Sequence, residues 1–200
     1  MGLLSQPTSK FDANVVDHLQ NHLFEFTDGS DVIALDLPAT NINRGRDHGI
    51  PAYYKYRELC GSPVTSWESL VNVMSAENIK KLQAIYSSFK DVDLFVGGLH
   101  ETPQKEALVG PTFACIIDKQ FRDLKNGDRF YFENGQSTAT RFSSVQLDEI
   151  RKVKFSTLIC ENFNVASVQP NAFKMAYSSL ANARTSCNNL AKMDLSKWKQ

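Results

Sequence analysis

The sequence predicts a mainly α fold, occupying residues 1–200 as a single domain or as one piece of a larger one. Three observations carry that expectation. Apolar residues recur at steps of three and four through several segments, Pro111 to Lys125 most regularly. Short Gly, Pro and Asn clusters punctuate the chain between those segments. The composition is that of a packed protein: 42% apolar and 22% charged, with 13 Phe, 6 Tyr and 2 Trp to fill a core. No internal repeat, low-complexity segment or dividing linker interrupts the pattern.

The elements follow in order. Val15, Val16, Leu19 and Leu23 have helical spacing, which predicts a helix over Phe11 to Phe26, ended by the turn Thr27-Asp28-Gly29-Ser30. A short helix is expected from Leu35 to Arg46. After Gly49, Pro51 suits the first turn of a helix running to about Cys60, where Gly61-Ser62-Pro63 stops it. Ser66 to Met74 and Ala76 to Phe89 read as two more helices, the second with Ser75 as N-cap. Asp91 to Gln104, with Gly97-Gly98 and Pro103, reads as irregular. In Pro111 to Lys125, Phe113, Ile116, Ile117, Phe121 and Leu124 share one face. Arg129 to Phe132 is at most a short strand. Ser143-Ser144-Val145-Gln146 is a capping box opening a helix to about Cys160. Beyond Asn164 the chain is irregular, with Leu195 and Trp198 available to clip down the tail.

Charge and terminus narrow the function classes. The 22 basic and 22 acidic residues cancel, so no nucleic-acid partner is expected. Uninterrupted apolar runs are only a few residues long, so no transmembrane segment is expected. Met1 to Gln6 carries no signal-peptide pattern, and Gln6 stands where a myristoylation motif needs Ser or Thr. Cys60, Cys115, Cys160 and Cys187 form no C-x-x-C pair, which argues against a structural zinc site and for two widely spaced disulfides with three possible pairings. Disulfides imply an oxidising compartment. Buried free thiols, or a true N-terminus lying further upstream, are the two ways to reconcile that with the missing signal.

Two polar constellations stand out. His18 and His22, four apart on the expected helix, share a side, but the Glu of a metalloprotease helix is absent. They read as polar residues on an amphipathic face, and no metal is assigned. The densest cluster is Asn41-Ile42-Asn43-Arg44-Gly45-Arg46-Asp47-His48-Gly49. Asn41 and Arg44 are three apart, so a helix puts an amide and a guanidinium on one face, suited to an acidic group or a ring N–H. Read on periodicity alone, the cluster is a helix C-terminus, cationic side chains meeting the negative end of the dipole before Gly49.

The run Asn-x-x-Arg-Gly-Arg-Asp-His-Gly within Leu35 to Tyr53 resembles the animal haem peroxidase family, of the myeloperoxidase and peroxidasin type. Tyr56 to Gly61, Asp93 to Leu99, Leu108 to Cys115, Gly127 to Asn134 and Asp194 to Trp198 are similar to further stretches of that family. The resemblance runs nearly end to end, but covers only the C-terminal part of the family's catalytic domain. It implies that Asn41 accepts a hydrogen bond from the ring N–H of the proximal haem histidine, fixing its tautomer and raising its basicity. It implies that Arg44 lies near a haem propionate and that Leu37 lines the haem cavity. It also implies the pairings Cys60–Cys115 and Cys160–Cys187.

The same resemblance places the proximal histidine, the distal histidine and the calcium-binding loop in an N-terminal half not contained here; His22 matches a family position that is not the ligand. The expectation is therefore a C-terminal fragment of a secreted, haem-dependent peroxidase, inactive alone and partnered by that N-terminal half. The complete enzyme would use hydrogen peroxide to oxidise halides or phenols and belong to the response to oxidative stress. The alternative is a non-catalytic stand-alone scaffold or interaction module derived from a peroxidase, with a large apolar face left exposed.

Overall fold

The computed structural model describes residues 2–9, 11–135 and 139–199. The chain divides into two compact units, Lys10–Asp123 and a second made of Met1–Ser9 with Leu124–Gln200. The fold is mainly α, with few short strands.

In the first unit a single helical turn, Asp17–Gln20, precedes a two-stranded antiparallel hairpin, β1 (Leu23–Asp28) and β2 (Asp31–Leu35). This corrects the helix expected over Phe11 to Phe26. The β-branched and aromatic residues of Phe24-Glu25-Phe26 and Val32-Ile33 prefer a pleated surface. Gly29 takes φ 64° at the first loop position, a geometry that matches strand twist. A bulge between Leu23 and Phe26 puts Phe24 at φ 52°.

Helix α1 (Leu37–Asp47) follows at once. Its N-cap Asp36 accepts from the Ala39 amide at 2.8 Å. At its other end Ile50 N–H donates to the Gly45 carbonyl (2.9 Å) and Gly49 N–H to the Arg46 carbonyl (3.1 Å). That Schellman pattern needs a left-handed residue, supplied by Gly49 at φ 65°. Helix α2 (Tyr53–Leu59) closes the same way at Gly61, and Cys60 is bonded to Cys115. The Ser66 to Met74 segment forms a 3₁₀ turn over Glu68–Asn72. Helix α3 (Ala76–Ile85) is capped by Ser75, whose hydroxyl accepts from Asn78 N–H at 3.1 Å.

Residues 91–104 are not irregular throughout: Leu94–His100 is helix α4. Gly97 and Gly98 weaken its intrinsic propensity, but both are buried where a Cβ would collide with the Tyr53 and Phe113 rings. Close packing therefore decides this helix. Helix α5 (Pro111–Gly127) completes the unit and runs on into the second. Tyr53, Val64, Leu70, Met74, Ile79, Leu82 and Val92 form one buried apolar cluster.

In the second unit the segment after α5 is a turn, not a strand. Asp128 Oδ1 accepts from Phe130 N–H (2.8 Å), and the Asp128 carbonyl accepts from the Asn134 amide (2.6 Å). These local bonds compete with extension. The expected capping box is formed at Ser143 and Gln146, opening helix α6 (Ser144–Arg151). The helix does not continue to Cys160; it stops at Lys152 and resumes as helix α7 (Phe155–Asn162). The Glu149 carboxylate draws in Lys152 Nζ (2.6 Å) and the Asp194 amide (2.9 Å) there. The break buries Ser156 and Thr157, which donate to the Pro170 and Ala191 carbonyls. The two-residue strands β3 (Ser167–Val168) and β4 (Thr185–Ser186) pair, and Cys160 is bonded to Cys187. In the tail Trp198 packs edge-on against Phe142, whereas Leu195 stays exposed.

Candidate functional site

A cleft of about 540 Å³ opens in the first unit along α1. Asn41, Arg44, Gly45 and His48 reach it from successive turns of one helix face and its cap. Ile42 and Ile50, Leu94 and Phe95 of α4, and Phe113 of α5 give it apolar walls, and Asp93 also lines it. Asn41 is half-buried and Arg44 exposed; among the described residues neither side chain has a hydrogen-bond or ion-pair partner. An amide and a guanidinium, set among apolar side chains with His48 and Asp93 on the same lining, are thus free to meet a ligand. Leu37, a turn before Asn41, is half-buried and does not line this cleft.

Arg46, by contrast, is committed. Its Nε and Nη2 donate to Asp93 Oδ1 (3.0 Å) and Oδ2 (2.8 Å), a two-pronged pair joining α1 to the residue that opens α4. The Tyr86 hydroxyl donates to the same carboxylate at 2.7 Å. Hydrogen bonding from Arg46 holds the Asp93 carboxyl below the usual range, chiefly against the cost of partial burial. Burial, followed by the bond to Asp93, pushes the Tyr86 hydroxyl up to about 12. The sequence reading puts Phe113 on an apolar helix face and Asp93 in a family-like stretch, but gives neither a place in the site. The signal was there for Asp93, the acidic residue directly preceding the Leu94-Phe95-Val96-Gly97-Gly98 run, but its partner lies 47 residues away in sequence.

The same unit holds a buried polar knot. Glu101, 2% exposed, accepts from the Tyr53 hydroxyl and the Thr112 hydroxyl (both 2.6 Å) on Oε1, and from the Thr112 amide (2.8 Å) on Oε2. Arg57 Nη1 lies 3.5 Å from Oε1. Arg57 Nε is buried without an acceptor among the described residues.

The two histidines first noted for their spacing are not on one helix, because the turn ends at Gln20. Their rings still lie 5.7 Å apart. His22 bonds Glu25 through Nδ1 and faces Asp17 through Nε2 (3.2 Å). Those carboxylates, the Glu25 bond first, raise its pKa.

The sequence profile of the animal haem peroxidase family matches residues 1–173. The chain is 40% identical over 201 residues to "Peroxidase" of Drosophila melanogaster, which covers 98% of this chain and 28% of that protein. It is 35% identical over 203 residues to "Myeloperoxidase" of Mus musculus, covering all of this chain and 27% of that one. "Peroxidase-like protein 3" of Lottia gigantea is 34% identical over 99% of this chain and 62% of its own length. Among solved structures, peroxidase A from Dictyostelium discoideum matches with a TM-score of 0.65 at 33% identity, over 82% of this chain and 30% of that one. The chain therefore spans under a third of the fly and mouse proteins it matches.

Proposed function

The chain belongs to the animal haem peroxidase family, and we propose that it forms the proximal-side wall of the haem site in such an enzyme. One observation carries the reading: Asn41 and Arg44 project from one face of α1 into an apolar cleft with their polar groups unspent. That lining fits haem, a flat and largely apolar group with carboxylate arms and an iron-bound imidazole. Asn41 Oδ1 accepts the ring N–H of the proximal histidine, holds one tautomer and raises the basicity of the iron-bound nitrogen. The Arg44 fork pairs with a propionate. Ile42, Ile50, Leu94 and Phe113 exclude water from that side, and Leu37, which lies outside this lining, meets the haem beyond it in this reading.

When bound, the haem supplies the oxidising chemistry with hydrogen peroxide. In this reading the axial and distal histidines and the calcium loop come from the N-terminal half of the same domain, which is the chain's partner. It covers exposed apolar side chains such as Phe24, Phe26 and Leu35 of the hairpin. Halides or phenols are the electron donors. The two disulfides support an oxidising, extracellular location.

The test is to titrate the chain with ferric haem in the presence of imidazole, which stands in for the histidine. Wild type is expected to bind saturably. Asn41→Val and Arg44→Ala are each expected to weaken binding several-fold. Equal affinity in both variants contradicts the assignment.

A further inference from the structure

We infer that Glu101 is a positioning residue that sets the aromatic wall of the cleft by holding the first turn of α5. The inference rests on the reading of that cleft as the haem wall. Its geometry stands independently.

Three hydrogen bonds converge on one buried carboxylate, and two of them come from a single residue, Thr112, through its amide and its hydroxyl. This fixes both the backbone and the rotamer at the start of α5. Phe113 is the next residue along, and its ring forms part of the cleft wall. The same ring lies so close over Gly98 that a Cβ there would collide with it. Gly110, just before α5, is likewise pressed against the Glu101 side chain. The carboxylate thus reads out through Thr112 to Phe113, and through Phe113 to the spacing between α4 and α5.

The charge matters as well as the shape. An ionised carboxylate accepts from every donor aimed at it. An amide in its place must present an N–H₂ to Thr112 N–H or to two hydroxyls that already donate. Arg57 Nη1 lies 3.5 Å from the same oxygen, Oε1, so an opposite charge is buried beside the carboxylate. Cys60–Cys115 ties the same two helices, α2 and α5, one turn beyond the knot. The disulfide therefore limits how far α5 can move, and the knot decides where within that range it sits.

The experiment follows the Phe113 ring by NMR in the full 200-residue chain. It compares wild type, Glu101→Gln, Thr112→Val and the core variant Ile79→Val, which lowers stability and leaves every hydrogen bond of the knot in place. In Glu101→Gln the cross-peaks between the Phe113 ring and the Gly98 α protons are expected to weaken, and the Phe95 and Ile42 signals to shift. Thr112→Val should do the same to a lesser degree, and it decides the matter if Glu101→Gln does not fold. Ile79→Val should leave these signals in place. Wild-type Phe113–Gly98 contacts in a folded Glu101→Gln or Thr112→Val chain, or equal loss in Ile79→Val, would overturn the inference. Haem and imidazole uptake by the same proteins is a second readout, expected to fall several-fold in Glu101→Gln. If wild type takes up no haem, the haem reading fails while the ring signals still decide the role of Glu101.

Discussion

The two units bury different kinds of side chain. In the first, seven apolar residues from Tyr53 to Val92 form a continuous core, and its buried charge is gathered into the Glu101 knot. In the second, Ile159 and Val168 are the buried apolar residues among those described, outnumbered by Glu149, Ser156, Thr157, Gln169 and Asn182. Those polar groups bond mostly to the backbone of irregular segments. Asn182 alone donates to the carbonyls of Asn171, Lys174 and Met175 and accepts from the Asn171 amide. One unit is held by packing, which tolerates little cavity. The other is held mainly by directional bonds, which tolerate little loss of a partner, while each unit contains one disulfide. The cleft lies in the packed unit, where a rigid wall is available to present Asn41 and Arg44.

That contrast can be broken at its strongest points. Leu82→Ala, at a fully buried site, should cost the first unit up to about 5 kcal/mol. Hydrogen exchange read segment by segment should show the loss over α2 to α4 and little change over α6 and α7. Replacing Cys160 and Cys187 with Ser opens a 27-residue separation and should cost about 3.5 kcal/mol in the chain-entropy model, with exchange rising in the second unit first. Asn182→Ala should cost about 1–3 kcal/mol by orphaning buried carbonyls, measured by denaturant unfolding. Uniform exchange across both units in any of these variants would mean that the contrast is not real.

Two smaller effects sharpen the comparison through pH. Asp93 has a lowered carboxyl pKa, so its contribution is present above the unfolded value, about 3.9, and is lost as pH falls through the folded one. Asp93→Asn should therefore flatten the acid limb of the stability profile. His22 is shifted the other way: its contribution is present below about 6.5 and is lost as pH rises through its raised folded value. Glu25→Gln should return the His22 ring titration, followed by NMR, towards the ordinary histidine range.

How much was legible in the sequence depended on range. Caps and stops are local, and Ser75, Ser143 with Gln146, and Gly49 were all readable from side-chain chemistry a few residues apart. The Asn41 and Arg44 face needed only a helix, and α1 provides it. The hairpin was missed because Val15, Val16, Leu19 and Leu23 happen to fit a helical period, while the strand signal sits in Phe24, Phe26 and Val32-Ile33. Helix α4 was missed because Gly97-Gly98 reads as a breaker until Tyr53 and Phe113, some 44 and 15 positions away, are brought against it. The clamp of Arg46 on Asp93 and the four-residue knot at Glu101 are likewise products of chain folding. No spacing rule announces partners 47 or 48 residues apart.

The central claim is that Asn41 accepts a hydrogen bond from the ring N–H of the iron-bound imidazole. The direct measurement is the iron–imidazole stretching band of the chain reduced with haem and imidazole, recorded by resonance Raman for wild type and Asn41→Leu. A hydrogen bond to Asn41 makes the imidazole more basic and its bond to iron stiffer, so the band should fall to lower frequency in the variant. An unchanged band in a variant that still binds haem and imidazole would contradict the account.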